Sequence, residues 1–177
     1  MKEIILYIAA SLDGYIADAD NKIDWLTVYN GSYGYQEFLR SVDTVLMGRK
    51  TYEEVVRMGI PNPHPDQMNF IFTRNIGRWT DTDNIHFTSD DPVLLAKKLK
   101  TREGKNIFLV GGGIVIAQLL EHGLIDEIIL FIVPVILGKG IPLFNEISHR
   151  AEFSTISARP FEDGMIEICL KKKIIHR

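Results

Sequence analysis

The chain is organised by short, uninterrupted apolar runs, each closed by a glycine or polar turn and each followed by a helix-compatible segment. Residues 3–10 (EIILYIAA), 44–47 (TVLM), 69–72 (NFIF), 107–110 (IFLV) and 127–136 (EIILFIVPVI) are runs of this kind. A strand with one wet face alternates apolar with polar residues, so a run without alternation predicts a strand covered on both faces. Residues 36–41, 51–57, 92–100 and 114–121 read as helices between them. Asp90 or Asp91 ahead of Pro92 supplies an N-cap with proline in the first turn, and Gly123 supplies a helix-ending glycine. The chain closes on two strands, about 152–159 and 165–173, joined through Asp163-Gly164, a hairpin signal. Strand–helix alternation followed by a hairpin predicts an α/β fold: a mainly parallel sheet, helices on both faces and an antiparallel edge.

Composition narrows the partners. With 177 residues the chain fits one domain, residues 1–177, and its net charge of −3 gives no field that would gather nucleic acid or an anionic membrane. Its single cysteine, Cys169, excludes an internal disulfide and a multi-cysteine zinc site, and reads as a small filler in a strand. The histidines at 64, 86, 122, 149 and 176 have no ligand spacing, so no metal is expected. Asp18 to Lys22 carry a faint calcium-loop pattern, but Lys22 occupies a ligand position and the required glycine does not follow. No apolar stretch is long enough to span a bilayer, and the N-terminal run is too short for a signal sequence, which makes the cytoplasm the default expectation.

In an open parallel sheet, ligands sit beyond the carboxyl ends of the strands. Three such ends here suit phosphates. Gly48, Arg49, Lys50 and Thr51 follow TVLM: glycine lets a ligand reach backbone, the helix start offers free N–H groups, and the side chains add charge and a hydroxyl. Gly111, Gly112 and Gly113 follow IFLV and lead into Ile114 and a helix. They resemble a dinucleotide fingerprint only in part, since Ile116 stands where the last glycine belongs. Thr73, Arg74 and Asn75 follow NFIF, where a guanidinium could grip a 2′-phosphate. Taken singly, each also reads as a turn or a solvated loop, the glycine run least readily; together they suit one extended dinucleotide.

The segments at 9–17 (AASLDGYIA), 47–52 (MGRKTY) and 110–113 (VGGG) occur in the order seen in dihydrofolate reductases. The S-L-D-G form of the first, with 124–127 (LIDE) and 134–144 (PVILGKGIPLF), resembles the reductase domain of riboflavin-biosynthesis proteins, the RibD C-terminal family. The resemblance implies a three-layer α/β/α fold around a mixed eight-stranded sheet and NADPH as cofactor. It places Gly48 to Thr51 and Thr73 to Asn75 around the adenine end, Gly111 to Gly113 with Ile114 at the pyrophosphate, and the backbone of Ala9 and Ile16 at the nicotinamide carboxamide. It makes the segment from Asp18 to Trp25 a mobile loop, and suggests a cis peptide in the glycine run.

The activity so implied is hydride transfer to a small heterocyclic or sugar-linked substrate, as in 5-amino-6-(5-phosphoribosylamino)uracil reductase. Asp13 and Ser11 are the candidate catalytic groups, with Trp25, Asn30, Tyr33, Tyr35 and Glu37 as substrate contacts. Two departures stand out. Asn30 occupies the position where a dihydrofolate reductase carries its acid, and Tyr7 stands where riboflavin reductases often carry lysine. A non-catalytic NADP-binding domain, or a dihydrofolate reductase with a displaced acid, are the competing readings. A homodimer is expected from the resemblance and from the apolar run 128–137, interrupted by Pro134, together with Phe144.

Overall fold

The computed structural model describes residues 1–29 and 31–173. Ten strands and four α-helices follow the chain as β1 (Ile4–Ser11), β2 (Tyr15–Asp18), α1 (Tyr35–Arg40), β3 (Val42–Gly48), α2 (Arg49–Arg57), β4 (Met68–Phe72), β5 (Ile85–Thr88), α3 (Pro92–Lys100), β6 (Asn106–Gly111), α4 (Gly113–Glu121), β7 (Glu127–Val133), β8 (Gly140–Pro142), β9 (Phe153–Pro160) and β10 (Ile166–Lys172). Eight strands make one mixed sheet in the order β5-β4-β3-β6-β1-β7-β10-β9, and β2 pairs with β8 in a small second sheet. Pairings are parallel from β5 through β7 and antiparallel at β7–β10 and β10–β9.

The unbroken apolar runs are strands covered on both faces. In β1, Ile4 and Leu6 belong to the core formed with α3 and α4, while Ile5 belongs to the opposite core with Phe38 of α1 and Tyr52 of α2. Burial of a large aliphatic side chain contributes roughly 1.5–3 kcal/mol, so a central strand buried on both sides anchors both layers. Two ion pairs gather at the amino ends of the central strands β1, β3 and β7. Lys2, 6% exposed, bonds to Asp43 at 2.5 Å, and Lys100 pairs with Asp126.

Several boundaries differ from the sequence reading for identifiable reasons. Helix α2 begins at Arg49, two residues before the predicted start, because the polar residues Arg49 and Lys50 form its first turn. The strand expected over 127–136 stops at Val133, since Pro134 has no N–H for the ladder. β7 lies between β1 and β10 inside the sheet, and Ile128, Phe131 and Val133 are buried within the chain, as is Leu143. The short strands β2, β5 and β8 were not predicted; β8 holds only Gly140 to Pro142 and pairs through backbone alone. Asp91, not Asp90, caps α3, its carboxylate accepting from Val93 N–H at 2.8 Å and Leu94 N–H at 3.0 Å. The faint calcium-loop residues form a turn closed on Asp18, which accepts from the N–H groups of Asp20 and Lys22, both at 2.8 Å. Among the described residues there is no cis peptide, no metal-holding cluster and no helix long and apolar enough to cross a membrane. His176 lies outside the described residues.

Candidate functional site

A cleft of about 1720 Å³ runs along the carboxyl ends of the parallel strands. Its first part is built from two turns that close on each other. Gly48 precedes α2 and Gly112 precedes α4, and a Cβ on Gly112 would lie 3.3 Å from the Gly48 Cα and 3.6 Å from Thr51 Oγ1. Gly112 also has φ of +95°, a conformation that disfavours any side chain. Neither α2 nor α4 has a side chain capping its N-terminus, whereas α3 is capped by the Asp91 carboxylate. Unused N–H groups at two helix starts, with no Cβ in the way, form a cradle for an anionic, phosphate-bearing group.

The cationic side chains gather beside this cradle. Arg49, Lys50 and Thr51 line the cleft from α2, and Thr73, Arg74 and Asn75 line it from the turn after β4. Arg49 is held by Glu53 at 2.5 Å, which offsets part of its charge. Thr73 is buried and its Oγ1 accepts from Asn75 N–H at 3.2 Å, fixing the turn, while Arg74 and Asn75 are exposed. Gly111, Gly113 and Ile114 continue the wall, and Ala9 and Ile16 line its middle. These residues could hold a dinucleotide such as NADPH: backbone N–H groups for a pyrophosphate and the exposed Arg74 guanidinium for a 2′-phosphate.

The other end of the cleft is aromatic. Tyr7 on β1 lies 4.9 Å from Phe131 on β7, 5.4 Å from Tyr35 and 4.5 Å from Phe38, ring centre to ring centre. Its hydroxyl donates to the Tyr33 carbonyl at 3.1 Å, and the Tyr33 hydroxyl bonds to Asp163 in the β9–β10 turn. Burial, then the nearby Glu167 carboxylate, pushes the Tyr7 hydroxyl well above its ordinary pKa, and burial pushes Tyr35 up to about 12. These hydroxyls are therefore neutral donors throughout the physiological range.

The expected site residues fall into two groups. Tyr33 and Tyr35 line the cleft with the cofactor candidates. Asp13 and Ser11 do not line it. The Asp13 carboxylate accepts from Ser11 Oγ at 2.7 Å, Gly138 N–H at 2.7 Å and Leu137 N–H at 3.1 Å, while Ser11 Oγ accepts from Tyr15 N–H at 2.9 Å. The Ser11 hydrogen bond, reinforced by those two N–H groups, outweighs desolvation and holds the Asp13 carboxyl below its ordinary range. That is the wrong direction for a proton donor and the right one for a clamp joining the β1–β2 turn to the loop after β7. Glu37 points to solvent on α1, 3.5 Å from Arg40. Trp25 packs against Phe131, Val133 and Met165 and does not line the cleft; its indole N–H is buried without a partner among the described residues. Asn30 lies outside the described residues.

The lining also includes Tyr29, Phe108, Phe131, Met165 and Asn145, none of them singled out from sequence. Phe131 sits inside a wholly apolar run, so which of its neighbours face the cleft is decided by the parallel register Ala9↔Phe131, which periodicity does not reveal.

The sheet order, the helix layers and the cleft define a dihydrofolate-reductase-like fold. Dihydrofolate reductase from Enterococcus faecalis, complexed with NADP(H) and RAB-propyl, superposes with a TM-score of 0.70 at 16% identity over 97% of each chain. The family model for the RibD C-terminal domain matches residues 2–166, and the chain belongs to that family. The uncharacterized protein YwjB of Bacillus subtilis (strain 168) is 35% identical over 90% of this chain and 92% of its own, and YyaP of the same organism is 32% identical over 94% and 93%. A protein of Shewanella sp. PV-4 named for riboflavin biosynthesis superposes with a TM-score of 0.85 at 29% identity, covering 97% of this chain and 99% of that one. The Thermotoga maritima diaminohydroxyphosphoribosylaminopyrimidine deaminase/5-amino-6-(5-phosphoribosylamino)uracil reductase aligns at TM-score 0.74 and 18% identity, over 97% of this chain and 57% of that one.

Proposed function

We propose that this protein is an NADPH-dependent reductase acting on a small heterocyclic or sugar-linked molecule. The observation that carries the reading is the paired, uncapped starts of α2 and α4, closed on each other at Gly48 and Gly112 and flanked by Arg74. When bound, NADPH supplies a hydride to a C=N or C=O carbon. The chain's part is to orient and to exclude water. The helix starts hold the pyrophosphate, Arg74 selects the 2′-phosphate, and Ala9 and Ile16 border the nicotinamide. At the aromatic end, Tyr35 offers a neutral hydroxyl to the substrate nitrogen or oxygen that gains a proton. Among the described residues, no carboxylate lines that end to serve as the acid.

A non-catalytic NADP-binding domain would share the cradle but not need a second, ring-lined compartment, and the aromatic end favours the enzyme. The test is NADPH oxidation, followed optically, with a panel of pterins, aminopyrimidines and small aldehydes. Oxidation stimulated by one class supports the reading; tight NADPH binding with no stimulated oxidation favours the binding domain. Pairing of two copies belongs to the same reading, with Ile136 and Phe144 left 70% and 45% exposed.

A further inference from the structure

The charges lining the cleft are segregated. Every charged lining side chain comes from α2, the turn after β4 or the loop after β5, as Arg49, Arg74 and Asp91 illustrate. The opposite end is walled by Tyr7, Tyr29, Tyr33, Tyr35, Phe131 and Met165, and among the described residues no charged side chain lines it. We propose that this end takes a flat, uncharged heteroaromatic ring system, and that the substrate carries no phosphate. The inference rests on the reductase reading, under which the cationic end is filled by the cofactor's own phosphates.

Three observations carry it. Ring faces and edges dominate the wall, and stacking and edge contacts reward a planar π-system. A phosphate taken out of water there would meet no compensating cation, which is strongly unfavourable. Hydroxyls do not make up the difference: Tyr7 is committed to the Tyr33 carbonyl and Tyr33 to Asp163, and the neutral hydroxyls of Tyr29 and Tyr35 carry no charge to balance a phosphate. The charges just behind the wall oppose an anion as well. Glu167 and Asp163 stand there, and Arg159 beside them lies over the Phe161 ring at 4.6 Å and bonds to Glu167 at 3.3 Å.

The test uses probes that differ only by a phosphate. Protein saturated with NADP⁺ is titrated with riboflavin and with FMN, read by flavin fluorescence, and with uridine and UMP, read by calorimetry. In whichever pair binds, the unphosphorylated member is expected to bind at least ten-fold more tightly. Equal or tighter binding of the phosphorylated member, or binding of neither pair, overturns the proposal. Phe131→Ala should weaken the unphosphorylated probe at least ten-fold with the NADPH Kd unchanged; because Phe131 is buried, Tyr29→Ala, at a half-buried position, provides the same comparison if that variant does not fold. An unchanged probe Kd in a folded variant also counts against the proposal. NADPH binding is titrated separately. Its failure removes the cofactor reading, and the probe pairs are then compared with inorganic pyrophosphate present, so the two ideas fail independently.

Discussion

Gly112 and Gly48 meet as two bare backbones: a Cβ on Gly112 would stand 3.3 Å from the Gly48 Cα and 3.4 Å from its nitrogen. The two turns belong to different strand–helix units, β3–α2 and β6–α4, and the parallel pairing of β3 with β6 sets them side by side. The cradle is thus a property of adjacent parallel strands rather than of one local motif.

Gly112→Ala should therefore lose NADPH binding by at least ten-fold. The left-handed backbone makes the substitution cost about 1–2 kcal/mol of stability, and the added methyl pushes the two turns apart. Thermal unfolding and NADPH fluorescence titration on the same variant separate the effects. A folded variant with unchanged affinity means the glycines serve the turn alone.

The sheet and most helices were legible because burial on both strand faces leaves an unmistakable apolar run, as at residues 107–110. The cradle was legible because glycine and lysine or arginine at a strand end are local signals. The aromatic end was legible only in part: Tyr33 and Tyr35 stood out through the resemblance, whereas Tyr7, Tyr29 and Phe131 come from distant segments that only the fold brings together. Asp13 was misleading for a related reason. A carboxylate after a strand looks reactive in sequence, and only the arrival of Leu137 and Gly138 N–H groups identifies it as a clamp.

His64 should make stability pH-dependent. It is buried, and burial lowers its pKa from 6.5 to about 4. The unfolded chain then binds a proton that the folded one refuses, so stability present above pH 6.5 is lost as pH falls toward 4. Between pH 6.5 and pH 5 the loss attributable to this residue is about 2 kcal/mol. Urea unfolding at both pH values measures it, and a folded His64→Gln variant should lack that part of the slope. An identical slope in the variant assigns the effect elsewhere.

Dihydrofolate should be a poor substrate. Glu37 faces solvent beside Arg40, Asp13 is clamped away from the cleft, and among the described residues no carboxylate lines the aromatic end. Steady-state turnover of dihydrofolate well below the typical enzymatic rate of about 10 per second is expected. Turnover near that rate would mean that an acid reaches the ring after all.

The protein should be a homodimer, with Phe144 at the contact. The mass by light scattering should be twice 20.1 kDa at micromolar concentration, and Phe144→Asp should halve it without unfolding the chain, since Phe144 is 45% exposed. A mass near 20.1 kDa for the unmodified protein removes the dimer.

The preference of the cleft for NADPH over NADH should be set at the turn after β4, by Arg74. Fluorescence titration of the protein with NADPH and with NADH, repeated on Arg74→Ala, tests it most directly. A charge-assisted contact contributes about 1.5–3 kcal/mol, so NADPH should bind the unmodified protein roughly 10- to 100-fold more tightly than NADH, and Arg74→Ala should erase that margin while leaving NADH unchanged. Equal affinity of the unmodified protein for the two cofactors, or no binding of either, would contradict the account.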